Sequence, residues 1–393
     1  MTIDDLNVAN KRVLLRLDLN VPMRDNQITD TTRIDRSIDT IKKLTKSGAS
    51  VIIISHFGRP KGHEDLKMSL KPIAKALSKA LGCDIAFATD CIGPKAQFLA
   101  ETIKAGEVVM LENLRFHAGE ETNDKEFAGK LSELANVFIN DAFSCAHRAH
   151  ASTEAITHLL PSAPGLLMQA ELNALSQALG NPERPVIALV GGAKISTKMK
   201  VLSHLVQQVD QLIIGGGMAN TFLNAQGINI GRSLCETDMK SVALEIMGQA
   251  VSAGCELVLP IDAIIAEEFA EGTISETVLL DSIHPESMIL DVGPASAADL
   301  KMRIANCKTF LWNGPLGAFE IKPFDNATNI LAQEVANLTA KGSIISVAGG
   351  GDTVAALANA GVQNKFSYVS TAGGAFLEWL EGKELPGIAA LKA

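Results

Sequence analysis

The sequence predicts an α/β fold of two Rossmann-like, three-layer domains, each with a parallel β-sheet flanked by helices, joined by a hinge helix. Three observations predict it. Nine short runs of β-forming residues are separated by segments with helical periodicity. At 393 residues the chain exceeds what one core usually supports. A proline- and glycine-bearing stretch, "LLPSAPGLLMQAELNALSQALGNPERP", interrupts the alternation near the middle.

In chain order the strand-like runs are "RVLLRLDL", "SVIIISH", "EVVMLEN" and "NVFIND", then "VIALVGG", "QLIIGGG", "TFLWNG", "SIISVAGG" and "SYVSTAGG". Near-continuous apolar runs of this kind suit strands covered on both faces. Between them, "RSIDTIKKLTKSG" and "LKPIAKALSKALG" are apolar at helical spacing and close on glycine, the residue that most readily ends a helix. The interrupting stretch places an N-terminal domain over residues 1–170 and a C-terminal domain over 171–379, with a connecting helix at the junction, and by itself leaves the last dozen residues to pack on either domain.

Composition narrows the function. Charged residues make up 20% and apolar ones 47%, and the net charge of −9 argues against nucleic acid as a partner. Residues 1–165 hold 21 basic and 21 acidic residues and six of the eight histidines, whereas the remainder is acidic, 14 against 23. A neutral, histidine-rich half could hold an anion, and uneven surface charge is the plainer alternative. The six cysteines form no CxxC pair or ligand cluster in sequence, as expected of reduced thiols in a cytoplasmic protein. The opening "MTIDDLNVANKR" has no apolar core, so no secretory signal is expected, and no apolar run is long enough for a membrane span.

In open α/β sheets ligands bind beyond the carboxyl ends of the strands. In the first half those ends carry charge: Asp18 and Asn20, His56 and Arg59, Arg115, then Asp141, His147 and Arg148, with Arg33 and Arg36 at an expected helix start. A single arginine is more often a surface residue than a ligand. Four strand ends repeating the pattern point instead to a small, multiply charged anion, which guanidinium groups recognise well. In the second half the ends carry glycine: "GGAK", "GGGMAN", "WNGP", "AGGGDT" and "STAGGA". Glycine lets backbone N–H groups approach phosphates, while GxGxxG is missing, which favours a nucleotide with free phosphates over a dinucleotide. Asp352 and Thr353 open a helix as a cap, and Asp352 can also hold Mg²⁺ on nucleotide phosphates. Glu320 is either a solvated acid or a ribose ligand. In "VIALVGGAKISTKM" the GxxxxGK[ST] spacing is absent. A helix starting after these glycines would put Lys194 and Lys198 on one face at its N-terminus, unfavourable until a polyphosphate sits there.

Nine motifs, "RLDLNVP", "SHFGRP", "LENLRF", "DAFSCAHRAHAS", "VGGAKISTK", "GGGMANTFL", "LWNGPLGAFE", "AGGGDT" and "STAGGAFLE", resemble in order those of phosphoglycerate kinases, from about Lys11 onwards. The resemblance implies an N-terminal lobe binding 3-phosphoglycerate or 1,3-bisphosphoglycerate through Asp18, Asn20, Arg33, the loop His56, Phe57, Gly58, Arg59, and Arg115 and Arg148. It implies a C-terminal lobe binding Mg²⁺ with ATP or ADP through Lys198, Gly215, Asn313, Glu320, Gly350, Gly351, Asp352 and Thr353, the metal resting on Asp352. Arg33 and Lys194 match the positions that stabilise the moving phosphoryl group as a hinge closes. The tail, residues 380–393, is expected to return to the N-terminal lobe, and the protein to act as a monomer. "STAGGA" has Ala372 where the family usually has glycine, which would strain the loop if that position needs positive φ. Arg36 matches no family role. His56, His117, His147 and His150 are expected to line the anion site or the surface. The acceptor carboxylate is already ionised at neutral pH, so no general base is required. Two alternatives remain: a dehydrogenase using "LIIGGGMAN", and a two-domain sugar-acid-phosphate binding protein without catalysis.

Overall fold

All nine expected runs form strands in the computed structural model, which describes residues 2–25 and 27–392. The chain divides into one unit of Met1–Leu172 with Glu384–Ala393 and a second of Asn173–Lys383.

The first unit contains β1 (Arg12–Arg16), β2 (Met23–Arg24), β3 (Gln27–Ile28), β4 (Ser50–Ile54), β5 (Ala86–Phe87), β6 (Val108–Met110), β7 (Val137–Asn140) and β8 (Ser162–Pro164). Six of these form a sheet in the order β5-β6-β4-β1-β7-β8, with every neighbouring pair parallel. Pleating sends successive side chains of β1 to opposite faces. Val13 and Leu15 pack with Ile34, Ile41 and Leu44 of the helix Thr32–Lys46, while Leu14 packs with Ala96, Ala100 and Leu131 on the other side. That split makes the three layers. The helix Lys71–Leu81 stops at Gly82, whose φ of 72° lets its N–H donate back to Ser78 O at 2.9 Å.

The second unit contains β9 (Val186–Val190), β10 (Gln211–Ile214), β11 (Glu256–Val258), β12 (Asp262–Ala266), β13 (Ser275–Leu279), β14 (Met288–Val292), β15 (Thr309–Asn313), β16 (Ile345–Gly349) and β17 (Tyr368–Ser370). Its parallel sheet runs β11-β10-β9-β15-β16-β17. Ile187, Leu189, Phe310 and the fully buried Trp312 pack with Leu331 and Val335 of the helix Asn326–Ala340. An antiparallel sheet, β13-β12-β14, was not anticipated. Its outer strand β13 buries only Val278, so its sequence lacks the apolar run that marks the parallel strands.

The strand order reverses between β1 and β7 in the first unit's parallel sheet and between β9 and β15 in the second's. The carboxyl-end crevices at these reversals are where α/β folds hold ligands.

The helix Leu166–Leu175 spans the division at Leu172 and continues as a π turn, Ser176–Gly180. Asp141, placed among the anion-facing residues by sequence, is instead buried beneath this helix. Its Oδ1 accepts from Met168 N–H at 2.9 Å and its Oδ2 from Thr40 Oγ1 at 2.5 Å. A carboxylate fits there because helix N-termini present unpaired N–H groups. Among the described residues every cysteine is free, and no helix is long and apolar enough to cross a membrane.

Candidate active site

At the first unit's reversal, the loop after β1 turns back so that Asp18 meets the start of the helix Thr32–Lys46. Arg33 Nη1 lies 2.7 Å from Asp18 Oδ2 and donates to the Asn20 carbonyl at 3.0 Å. Asn20 Oδ1 accepts from Gly58 N–H at 3.0 Å, and Gly58 O accepts from Arg115 Nη1 at 2.8 Å. Phe57 is pinned by Asn113, which takes its N–H at 3.2 Å and donates to its carbonyl at 2.7 Å. Asp18, Asn20, Arg33, Phe57, Gly58 and Arg115, drawn from four stretches of sequence, thus form one hydrogen-bonded rim. Arg59 and Arg148 are exposed, and Arg148 Nε donates to His147 Nε2 at 3.1 Å.

Beneath the rim lies Arg16, a residue sequence reasoning passed over. It is 1% exposed, with its Nε donating to Ser152 Oγ at 2.9 Å and its Nη2 3.0 Å from His56 Nδ1. Ser152 in turn donates to the fully buried Glu120 at 2.6 Å. The signal was present, since an arginine inside "RVLLRLDL" must be buried and therefore paired. Burial, followed by the charges of Arg16 and Arg115, holds the His56 imidazole well below its usual range. The same influences, with Arg115 ahead of Arg16, push His150 down to about 4. Both rings are neutral at pH 7 and too weakly basic to accept a proton, which leaves a site of fixed guanidinium charge.

At the second unit's reversal, the ends of β9 and β15 almost touch. A Cβ on Gly191 would lie 1.8 Å from Pro315 O, so only glycine permits this approach. Lys198 reaches into the gap, donating to Gly191 O at 2.7 Å and to Asn313 Oδ1 at 2.7 Å. Asn313 Nδ2 donates to Gly349 O at 2.7 Å. Thr353 Oγ1 donates to the same carbonyl at 2.8 Å and accepts from Gly314 N–H at 2.7 Å. Gly350, at φ 100°, precedes the helix Gly351–Asn359 and aims its N-terminus at this region. Gly215 does the same for the helix Gly216–Ala225.

The lysine pair does not share a helical face. After the glycines comes a single 3₁₀ turn, Ile195–Thr197, and the helix begins only at Met199, ending at Leu205. Lys194 precedes the turn in extended conformation and is exposed, whereas Lys198 caps the helix and folds back into the crevice. The expected loop strain at Ala372 is also absent, because its φ is −98°, open to any residue.

A cavity of about 400 Å³ adjoins these elements, walled by Gly192, Gly216, Gly217, Leu234, Leu290, Pro315 and Phe319, with Glu320 and Asp352 on its border. A small-molecule ligand with an apolar ring would fit it. Two further wall carboxylates use their oxygens on backbone: Asp262 accepts from Ala295 and Ser296 N–H, and Asp291 from Val292 and Ala327 N–H. Burial pushes Asp291 up to about 7. Nothing in "MILDV" set it apart as a sequence.

Two reversal crevices, one lined with guanidinium groups and the other with glycines and helix N-termini, make a two-domain α/β protein suited to anionic ligands. The comparisons narrow this further. The family model described as phosphoglycerate kinase matches residues 3–383. The phosphoglycerate kinase of Rhodospirillum centenum is 58% identical over 392 residues, covering 100% of this chain and 99% of that one. That of Cereibacter sphaeroides is 56% identical, covering 99% and 98%. The solved structure of phosphoglycerate kinase from Coxiella burnetii superposes with a TM-score of 0.94 at 43% identity, covering 100% of this chain and 98% of that chain. The chain belongs to the phosphoglycerate kinase family.

Proposed function

We propose that the chain reversibly transfers a phosphoryl group between 1,3-bisphosphoglycerate and ADP, giving 3-phosphoglycerate and ATP, as a glycolytic enzyme of the cytoplasm acting as a monomer. The observation that supports this most directly is the division of chemistry: fixed cations at the reversal of the first unit's sheet, and a glycine-walled cavity with two helix N-termini at that of the second. A binding protein without catalysis has no use for Lys194 and Lys198, and a dehydrogenase would need a dinucleotide fingerprint the sequence lacks.

In this proposal the first unit, Met1–Leu172 with Glu384–Ala393, takes the phosphoglycerate. Arg33, Arg59, Arg115 and Arg148 meet its phosphate and carboxylate, Asp18 and Asn20 hold Arg33 and the His56–Arg59 loop, and His56 lines the floor. The second unit takes the nucleotide. Apolar wall residues cover the base, Glu320 accepts from ribose hydroxyls, and Gly215, Asn313 and the Gly350–Thr353 turn position the phosphates. The donor set also suits Mg²⁺, since Asp352 is an exposed carboxylate beside that turn, and one carboxylate with phosphate oxygens is a usual arrangement for this ion. Bound there with the nucleotide, the ion would neutralise phosphate charge.

The acceptor carboxylate is ionised at pH 7, so the neutral histidines need take no proton. Lys194 and Arg33 would share the charge on the equatorial oxygens of the moving group, and Lys198 would meet the nucleotide phosphates. Catalysis is then positioning and electrostatics, by direct in-line transfer without a covalent intermediate. The deciding experiment supplies 3-phosphoglycerate and Mg-ATP and follows 1,3-bisphosphoglycerate through NADH loss with glyceraldehyde-3-phosphate dehydrogenase. Turnover that vanishes in Lys194→Ala supports the proposal. Absence of turnover, with both ligands still bound in calorimetry, favours the binding protein.

A further inference from the structure

We infer that Asp90, Cys91 and His117 of the first unit form a three-ligand site for a thiophilic divalent cation such as Zn²⁺, separate from the phosphoryl-transfer residues. One ligand atom from each lies within 4.8 Å of the other two. Spacing along the chain conceals this cluster, because His117 is 27 residues beyond Asp90. The sheet assembles it: β5 and β6 are parallel neighbours, so the segment after β5 and the turn after β6 emerge side by side.

The side chains are already oriented for it. His117 Nε2 is 2.8 Å from Asp90 Oδ1, and the ring is stacked on Phe127 with centroids 5.3 Å apart. Asp90 Oδ1 is steadied by Cys91 N–H at 2.7 Å. Tetrahedral zinc with bonds of about 2.1 Å separates its donors by about 3.4 Å, so the Asp90–His117 contact needs to open by roughly half an ångström. Asp90 and His117 keep 41% and 32% of their side-chain surface exposed, leaving a face for a water as fourth ligand.

The electrostatics favour a cation. Cys91 is buried, and the carboxylates of Asp90, Glu120 and Glu112 act on its position. The nearby cation, Lys95, is turned to Thr89 Oγ1 at 2.8 Å. Binding exchanges the S–H bond of Cys91 for an S–metal bond and releases the proton to solvent, so affinity should rise as pH rises. The other cluster of similar composition, Asp18, His56 and Cys145, is the reverse case. Arg33 sits on Asp18, and Arg16 Nη2 lies 3.0 Å from His56 Nδ1 and 3.8 Å from Cys145 Sγ, so that position already holds positive charge.

The test titrates Co²⁺ into the whole protein and reads the thiolate-to-cobalt charge-transfer absorption, then displaces the metal with Zn²⁺. One equivalent should give the band. Cys91→Ser should abolish it, His117→Gln and Asp90→Asn should each weaken binding at least about tenfold, and Cys145→Ser should leave it intact. No band in the wild type, a band that survives Cys91→Ser, or one lost in Cys145→Ser would overturn the site. Should Cys91→Ser not fold, unchanged affinity in the two half-exposed variants, His117→Gln and Asp90→Asn, overturns it equally.

Discussion

Lys198 Nζ lies 2.7 Å from Asn313 Oδ1, in the crevice where the second unit's strand order reverses. Burial lowers this lysine to about 8, with Asp352 opposing the shift. A bound phosphate beside it should restore the ordinary value. ADP binding is therefore expected to take up a proton at pH 8.5 and none at pH 6.5, where Lys198 is charged in either state. Calorimetry in two buffers of different ionisation enthalpy measures the uptake, which Lys198→Met should abolish. Equal uptake in the variant would assign the proton elsewhere.

Asp291 should make the stability of the second unit depend on pH. Its carboxyl rises from 3.8 in the unfolded chain to about 7 in the fold. Between these values the folded state binds more protons, so this group's contribution to stability falls as pH rises. Stability of wild type relative to Asp291→Asn should drop between pH 4 and pH 7 by up to about 4 kcal/mol. The chain's two tryptophans, Trp312 and Trp379, both lie in the second unit, so their fluorescence reports its unfolding. A constant difference across that window would refute the assignment.

Arg33→Ala should cut turnover at least about 100-fold, as losing a charge-stabilising group at a phosphoryl-transfer centre does. Its ion pair with Asp18 is partly solvated, so the melting temperature should fall by only a few degrees. Steady-state kinetics beside a thermal melt separates the two effects. Near-normal turnover would remove Arg33 from the catalytic set.

Two glycine substitutions should differ in sign. Gly191→Ala puts a Cβ 1.8 Å from Pro315 O at the joint of β9 and β15, and should cost about 3 kcal/mol or more and abolish nucleotide binding. Gly248→Ala, inside the helix Lys240–Ala253 with nothing within 4 Å of the new Cβ, should stabilise by about 0.5–1 kcal/mol. Denaturant melts followed by tryptophan fluorescence compare them directly.

Ala372→Gly should not improve turnover. With φ at −98° the alanine is unstrained, and glycine would loosen the unfolded chain and remove a buried methyl, at a cost of about 0.5 kcal/mol or more. A marked gain in kcat would mean that the loop does need freedom at that position.

The sequence determined the layered α/β architecture, because strands buried on both faces must be nearly all apolar, and such runs stand out between amphipathic helices. β1, β4, β9 and β15 were legible for that reason. Loop residues at strand ends were legible too, since charge or glycine directly after an apolar run has few structural uses. Only the tertiary structure decided which of these meet. It brought Arg33 to Asp18 and Lys198 to Asn313, put Asp141 beneath a helix N-terminus, and kept Lys194 outside the helix that periodicity suggested. It likewise buried Arg16 under the anion site and joined His117 to Asp90 across β5 and β6. Local pattern records how deeply a residue is buried and on which face it lies. Strand order decides its neighbours, and strand order is set by packing the whole sheet at once.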